Sequence, residues 1–273
     1  MYETLIKAAQ NWSKRTAIEN AQININFLSK YTVKLNQISL NVKPWIFSMA
    51  PKTAGESLNQ YLTQVFTLKD ILSVDSNELN NMPQVINLQN KCAEAITGHY
   101  SINDLLFQLI PHHNIVHLGM MRDPLERVVH LYNDIATHQM YANKNSTGLL
   151  DFETYVNELN PVEINNGQAK RFAGVLTSPN ELTDKELYFK AKFNIDNCFS
   201  LVGITEQFDD FYQMLGRKCA VKFHHIPSIK RSKLKVRLTD IGPEKIELIQ
   251  DKNKVDIQLY QYVKSKFNSS INY

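Results

Sequence analysis

The sequence predicts an α/β protein with a parallel sheet, because short apolar runs alternate with helical periodicity and each run ends in a loop that opens the next helix. Two such junctions stand out: Trp45 to Ala50 running into Pro51-Lys52-Thr53-Ala54-Gly55, and Ile115 to Met121 running into Arg122-Asp123-Pro124. With 273 residues, 43% of them hydrophobic, the chain has material for one large core. The expectation is a single domain over 1–273, in which residues 1–41 form an N-terminal extension with little periodicity beyond a first helix.

Taken in order, Trp45 to Ala50 (WIFSMA) reads as a buried strand entering a loop. Leu58, Tyr61, Leu62, Val65 and Phe66 recur at i, i+3, i+4, i+7 and i+8, which predicts a helix that starts near Glu56 and lays one apolar face on the sheet. Ala93 to Thr97 reads as a strand before Gly98-His99, Ser101 to Ile110 as a helix, and Ile115 to Met121 as the next strand. Asp123 suits the N-cap and Pro124 the first turn of a long helix, with Leu125, Val128, Val129, Tyr132 and Ile135 or Ala136 as its buried stripe. Asn143 to Gly148 is polar and reads as a surface loop. Cys198 to Ile204 reads as a strand, Glu206 to Leu215 as a helix, and Pro243 to Phe267 as one long or broken C-terminal helix.

Composition narrows the function. Glu3 and Lys7 interrupt any secretory apolar run, and no stretch approaches the ~18 apolar residues of a membrane span, so a soluble cytoplasmic protein with no membrane span is expected. Cys92, Cys198 and Cys219 are odd in number, far apart and without metal-ligand spacing, which points to reduced thiols and away from zinc or any other metal. The net charge is +3, but Arg217 to Arg237 carries Lys and Arg repeatedly with no Asp or Glu. Such a stretch is either a solvated face or a partner for phosphate or acidic glycan. It lacks the interleaved aromatics of a nucleic-acid surface, so nucleic acid is not expected.

The loop after the first strand has the parts that hold phosphate. Ligands of open parallel sheets bind beyond the carboxyl ends of the strands, where helix-start N–H groups favour anions. There Lys52 supplies a fixed charge, Thr53 and Ser57 supply hydroxyls, and Gly55 permits close backbone approach. A nucleoside-triphosphate P-loop needs glycine directly before the Lys and again five positions further back, where this chain has Pro51 and Ile46. Walker-type kinase chemistry is therefore disfavoured, although a nucleotide-dependent phosphotransferase stays as an alternative reading.

The segment IFSMAPKTAGESL, ending at Leu58, resembles the 5′-phosphosulfate loop of sulfotransferases that use 3′-phosphoadenosine 5′-phosphosulfate (PAPS), which reads IFxHxPKTGGTSL in the carbohydrate branch. Ala54 and Glu56 depart from the commoner Gly and Thr. GMMRDPLERVVHLY, from Gly119 to Tyr132, is similar to the family's 3′-phosphate segment, with Arg122 as the phosphate clamp. Eight residues on, His130 stands where the family often has serine. NNGQAKRFAG, from Asn165, is similar to the family's Asn-Gln-Arg-Gly segment, and LVGITEQFDDFYQML to its VGLTERFDESLxLL. The resemblance runs from about residue 45 to the C-terminus. It implies a three-layer, P-loop-like sulfotransferase fold, PAPS as donor, and a hydroxyl acceptor, foremost a glycan of the kind met by heparan sulfate 2-O/6-O enzymes, in a soluble bacterial-type member.

The implied donor contacts are Pro51, Lys52, Thr53, Ala54, Gly55, Glu56, Ser57, Arg122 and His130, together with Lys230, Arg231, Ser232 and Lys233 from a late basic stretch that would cover the adenine and 3′-phosphate. Gln168 and Arg171 are the implied acceptor contacts. Lys52 would meet charge developing on the bridging oxygen. His99 is the expected base, because Gly98 frees its turn and the Gly-His pair resembles the catalytic histidine segment of the hexuronic acid 2-O-sulfotransferases. Glu56, Glu94, His112 and His113 are the alternative bases. A third reading is a catalytically silent module that holds a polyanion.

Overall fold

Four of the runs read as strands pair side by side, joined by a fifth strand at one edge. The computed structural model describes residues 28–73, 94–99, 101–102, 114–142, 152–159, 161–176, 182–224 and 236–271. Strands β1 (Trp45–Met49), β2 (Ile71–Ser73), β3 (Ala95–Gly98), β4 (Val116–Met121) and β5 (Leu201–Ile204) form one five-stranded sheet in the order β2-β3-β1-β4-β5. Every pairing is parallel. β1, β3, β4 and β5 are buried at every position, which is why they read as unbroken apolar runs rather than alternating ones.

Around the sheet stand α1 (Gly55–Leu62), α2 (Pro124–Ala142), α3 (Gly167–Ala173), α4 (Asp184–Cys198), α5 (Phe208–Cys219), α6 (Pro243–Lys252) and α7 (Lys254–Ile271). Alternation along β1 sorts them into layers. Phe47 stacks on Tyr212 of α5, which stacks on Tyr61 of α1, so α1 and α5 cover one face. The other face carries Ser48 and His117. His117 Nδ1–H donates to the Cys198 carbonyl at 2.7 Å, its Nε2 accepts from the Ser48 hydroxyl at 2.8 Å, and its ring lies on Phe199, which leans on Phe172 of α3. Burial pushes the His117 pKa down to about 3, so this imidazole is a neutral core residue. α7 packs along the edge strand β5 and against α4. A second apolar cluster joins Val128, Val129 and Tyr132 of α2 to Phe152, Tyr155, Ile241 and Ile249.

The strand order creates a crevice. β1 hands the chain to α1 and then to β2 on one side of the sheet, while β4 hands it to α2 and then to β5 on the other. Adjacent strands whose connections diverge leave a gap beyond their carboxyl ends. Lys52 follows β1 and Arg122 follows β4, so both flank it.

Several elements differ from the sequence reading. The edge strand β2 is three residues long and half-exposed, too short to show a pattern. The strand expected from Cys198 begins at Leu201, because Cys198 closes α4, whose buried Leu187, Ala191, Ile195 and Cys198 follow a helical period. Of the two forms expected for the C-terminal helix the broken one holds: it is interrupted at Asn253, whose amide donates to the carbonyls of Ile164 (2.9 Å) and Ile249 (2.8 Å). The expected extension is partly built into the fold: Leu28 and Val33 lie in the main core, and Tyr31 and Val33 bond the backbone of Ile115. Residues 1–27, residues 103–110 of the helix expected from Ser101 to Ile110, and the loop expected over Asn143 to Gly148 fall outside the described residues. Among those described, no helix is long and apolar enough to cross a membrane.

Candidate functional site

The loop after β1 holds two non-glycine residues in the left-handed region, Lys52 and Ala54, each with φ of 67°. Such a conformation costs roughly 1–2 kcal/mol per residue and persists only where surroundings impose it. Here three successive carbonyls are each held by a donor. The Ala50 carbonyl accepts from Thr53 Oγ1 (2.7 Å) and N–H (3.3 Å), that of Pro51 from Arg127 Nε (3.2 Å), and that of Lys52 from Arg122 Nη1 (3.2 Å). Thr53 is fully buried, so its hydroxyl braces the loop and does not face a ligand. The first intrahelical bond of α1 is Leu58 N–H to Ala54, which leaves the N–H groups of Gly55, Glu56 and Ser57 without helical acceptors. A Cβ on Gly55 would make only an ordinary 3.5 Å contact with Met49. Its glycine is not demanded by packing.

At the end of β4 the turn is clamped on all sides. The Arg122 N–H donates to Gln168 Oε1 and its carbonyl accepts from Gln168 Nε2, both at 3.0 Å. Thr205 Oγ1 donates to the Met121 carbonyl at 2.9 Å, and the Asp123 N–H donates to Glu206 Oε1 at 3.0 Å. Asp123 caps α2 as expected, accepting from Leu125 and Glu126 N–H at 3.0 and 3.1 Å. Arg122 itself keeps a buried Nε with no protein partner among the described residues. Burial disfavours its charge, while Glu206, Glu126 and Asp123 counter that effect.

Beneath both loops lies a buried ionic cluster. The fully buried Arg127 donates Nη1 to the Glu163 carbonyl at 2.7 Å and pairs with the Glu163 carboxylate, which also takes Arg171. The two guanidiniums hold the Glu163 carboxyl below its ordinary pKa despite its burial. Gly167 leaves the room: a Cβ there would sit 3.3 Å from Arg127 Nη1 and 3.0 Å from the Val162 carbonyl. Asp256, buried in α7, accepts the Gln168 and Ala169 N–H groups at 3.1 and 2.6 Å and so caps α3. Asn166 answers from the other side, its Oδ1 accepting from Val255 and Asp256 N–H at 2.9 and 3.1 Å. Gln168 and Arg171 were expected at an acceptor cleft. Both are instead buried and committed to Arg122 and Glu163, because six of the seven α3 residues face inward. They position the strand-end loops from below.

Lys52 Nζ lies 2.7 Å from Asp134 Oδ1, across the crevice on α2. His130, one turn earlier on α2, is half-exposed, with Nε2 3.8 Å from Glu126 Oε2. Desolvation and then the positive charges of Arg122 and Lys52 push its pKa down to about 4, which makes it a neutral imidazole near pH 7. His99 follows β3, and its Nδ1–H donates to the Met49 carbonyl at 3.2 Å. A carbonyl can only accept, so Nδ1 carries a proton and Nε2 is the basic nitrogen of the neutral ring. Glu94 precedes β3 and pairs with Lys43 at the opposite end of the sheet, so it is too remote to serve as base.

His112, His113, Lys230, Arg231, Ser232, Lys233 and the side chain of Glu56 lie outside the described residues. The basic stretch is nevertheless tied on both flanks. Gln64 exchanges two hydrogen bonds with the His224 backbone (3.1 and 2.6 Å), and Asn133 does so with that of Val236 (2.9 and 3.2 Å). Sequence reasoning missed Arg127, Asp134, Glu163 and Glu206. Asp134 and Glu163 lie outside the quoted motif segments, whereas Arg127 stood in the 3′-phosphate-like segment without an assigned role and Glu206 in the segment read as strand and packing helix. Neither a family model nor a curated protein sequence matches the chain.

Replacing Arg127 with Met should destabilise the protein by about 3–5 kcal/mol in urea unfolding, since it strips one partner from a buried carboxylate and frees the Pro51 carbonyl. Arg127→Lys should not restore the loss, because an ammonium cannot reach both acceptors as a planar fork does. A folded-state His130 pKa below the unfolded 6.5 means the unfolded chain binds the extra proton, so stability should fall as pH drops from 6.5 towards about 4. The fall should be shallower in His130→Gln; equal slopes would show that His130 does not carry it.

Proposed function

We propose that this protein is a PAPS-dependent sulfotransferase that moves a sulfuryl group to a hydroxyl of a carbohydrate acceptor, in a P-loop-like fold and a cytoplasmic setting. The observation that carries the reading is the contact between the two strand ends: Arg122 Nη1 bonds the Lys52 carbonyl at 3.2 Å across the crevice where β1 and β4 diverge. A lysine and an arginine so placed suit the two phosphate groups of one bisphosphorylated nucleotide. The resemblance of the PKT and RDP segments to the donor loops of that family supports the same assignment.

In this reading the 5′-phosphosulfate rests on the helix-start N–H groups of α1 and on Lys52, and the 3′-phosphate on Arg122, with His130 close by. His99 Nε2 takes the proton of the acceptor hydroxyl as its oxygen bonds sulfur. The bond from sulfur to the bridging oxygen breaks, and adenosine 3′,5′-bisphosphate leaves with its new charge met by Lys52. The orientation of the His99 ring by Met49 supports this role, and the tight bracing of the strained loop supports a preorganised donor site.

Adenosine 3′,5′-bisphosphate should stabilise the protein against heat, by about 2.7 kcal/mol at a hundredfold its Kd, and ATP should not. Stabilisation by ATP alone would favour the phosphotransferase, and bisphosphate binding without transfer to any offered glycan would favour the silent module. His99→Ala should lower turnover about 10²- to 10⁴-fold while bisphosphate affinity stays near wild type. Turnover at the wild-type rate would remove His99 from the chemistry.

A further inference from the structure

The face of α2 that looks onto the crevice carries Glu126, His130 and Asp134 in steps of one turn, so a row with two carboxylates runs beside the two cations. Asp134 holds the Lys52 ammonium at 2.7 Å, and the two side chains are 39% and 36% exposed. Among the described residues, the charged or titratable groups near this pair also include Arg122, which bonds the Lys52 carbonyl, and Tyr155, whose buried hydroxyl lies within reach of the charges of Arg127, Glu163 and Asp134. An anion arriving at Lys52 must therefore displace one carboxylate and then remain beside it.

We propose that Asp134 is a positioning residue that acts as an internal counter-anion, holding Lys52 until the donor displaces it and keeping the site clear of free inorganic anions. The inference rests on reading the crevice as a donor-phosphate site. A free phosphate or sulfate ion has the Lys52 and helix-start contacts to set against the competition, but no second phosphate group for Arg122. A ligand with two phosphate groups keeps its Arg122 contact, which Asp134 does not occupy. A pair this exposed is screened and modest, so removing its carboxylate changes affinity by about threefold to tenfold, not by orders of magnitude. That is enough to decide occupancy when inorganic anions are near their Kd.

The test titrates inorganic phosphate, and separately adenosine 3′,5′-bisphosphate, into the full-length chain at low ionic strength by isothermal titration calorimetry, with circular dichroism confirming the fold of each variant. Asp134→Asn should bind inorganic phosphate about threefold to tenfold more tightly than wild type, and Asp134→Ser should do the same if the amide variant folds poorly. Asp134→Glu, which can keep the pair, should stay near wild type. In a Lys52→Met background the gain should vanish. Unchanged phosphate affinity in both Asp134 variants, or an equal gain without Lys52, would overturn the proposal, the latter by showing a general charge effect. The two readings separate cleanly: failure of the bisphosphate to bind wild type overturns the donor assignment, while the phosphate comparison decides Asp134 by itself.

Discussion

The interaction on which the site depends is the carboxylate of Glu163 held between the guanidiniums of Arg127 and Arg171. Arg127 has no access to solvent, so its charge is tolerable only because Glu163 compensates it and its donors find acceptors. One of those acceptors is the Pro51 carbonyl, in the turn that carries Lys52. The cluster thus links the α3 helix, the α2 helix and the loop after β1 into one unit. Burial of charge is a poor source of net stability, but it is directional, and here direction is what the loop needs. A hydrophobic contact would have packed the loop without specifying where its carbonyls point.

That specification matters because the loop is strained. Lys52 and Ala54 both occupy the left-handed region without being glycine, and their backbone is kept there by bonds to three successive carbonyls. With those carbonyls occupied, the crevice offers the helix-start N–H groups of α1, which have no helical acceptors, and the Nε of Arg122, which has no partner among the described residues. Anions are the natural complement of such a surface. The acidic row on α2 sets the opposite sign beside it, so the crevice holds a balance of charge that a ligand must shift rather than an open basic patch.

Most of the sheet was legible from local sequence. β1, β3 and β4 are buried on both faces, so their apolar runs are dense, and Asp123-Pro124 marks the start of α2 by a capping geometry that needs no tertiary partner. The T-x-x-E capping box at Thr183 to Glu186 was equally local but went unread, so α4 was not assigned and its last residue, Cys198, became the start of an expected strand. β2 was not legible, because three half-exposed residues have no period to show and pair only through β3. Gln168 and Arg171 illustrate the harder limit: polar residues in a motif-like segment were taken to face a substrate, and their burial depends on α7 crossing behind them.

By itself the sequence determined the alternation of strand and helix, the two loops that open α1 and α2, and the placement of Lys52, His99 and Arg122 at strand ends, since each follows from apolar periodicity and capping within about ten residues of chain. Only the tertiary structure decided which strands adjoin, that Arg122 reaches the Lys52 backbone, that Glu94 lies at the far end of the sheet, and that Arg127, Glu163, Asp134 and Glu206 support or oppose the site. The physical reason is that ion pairs and backbone clamps act between residues far apart in the chain. No local pattern encodes which acid will meet which base until the sheet order and the helix packing have brought them within a few ångströms.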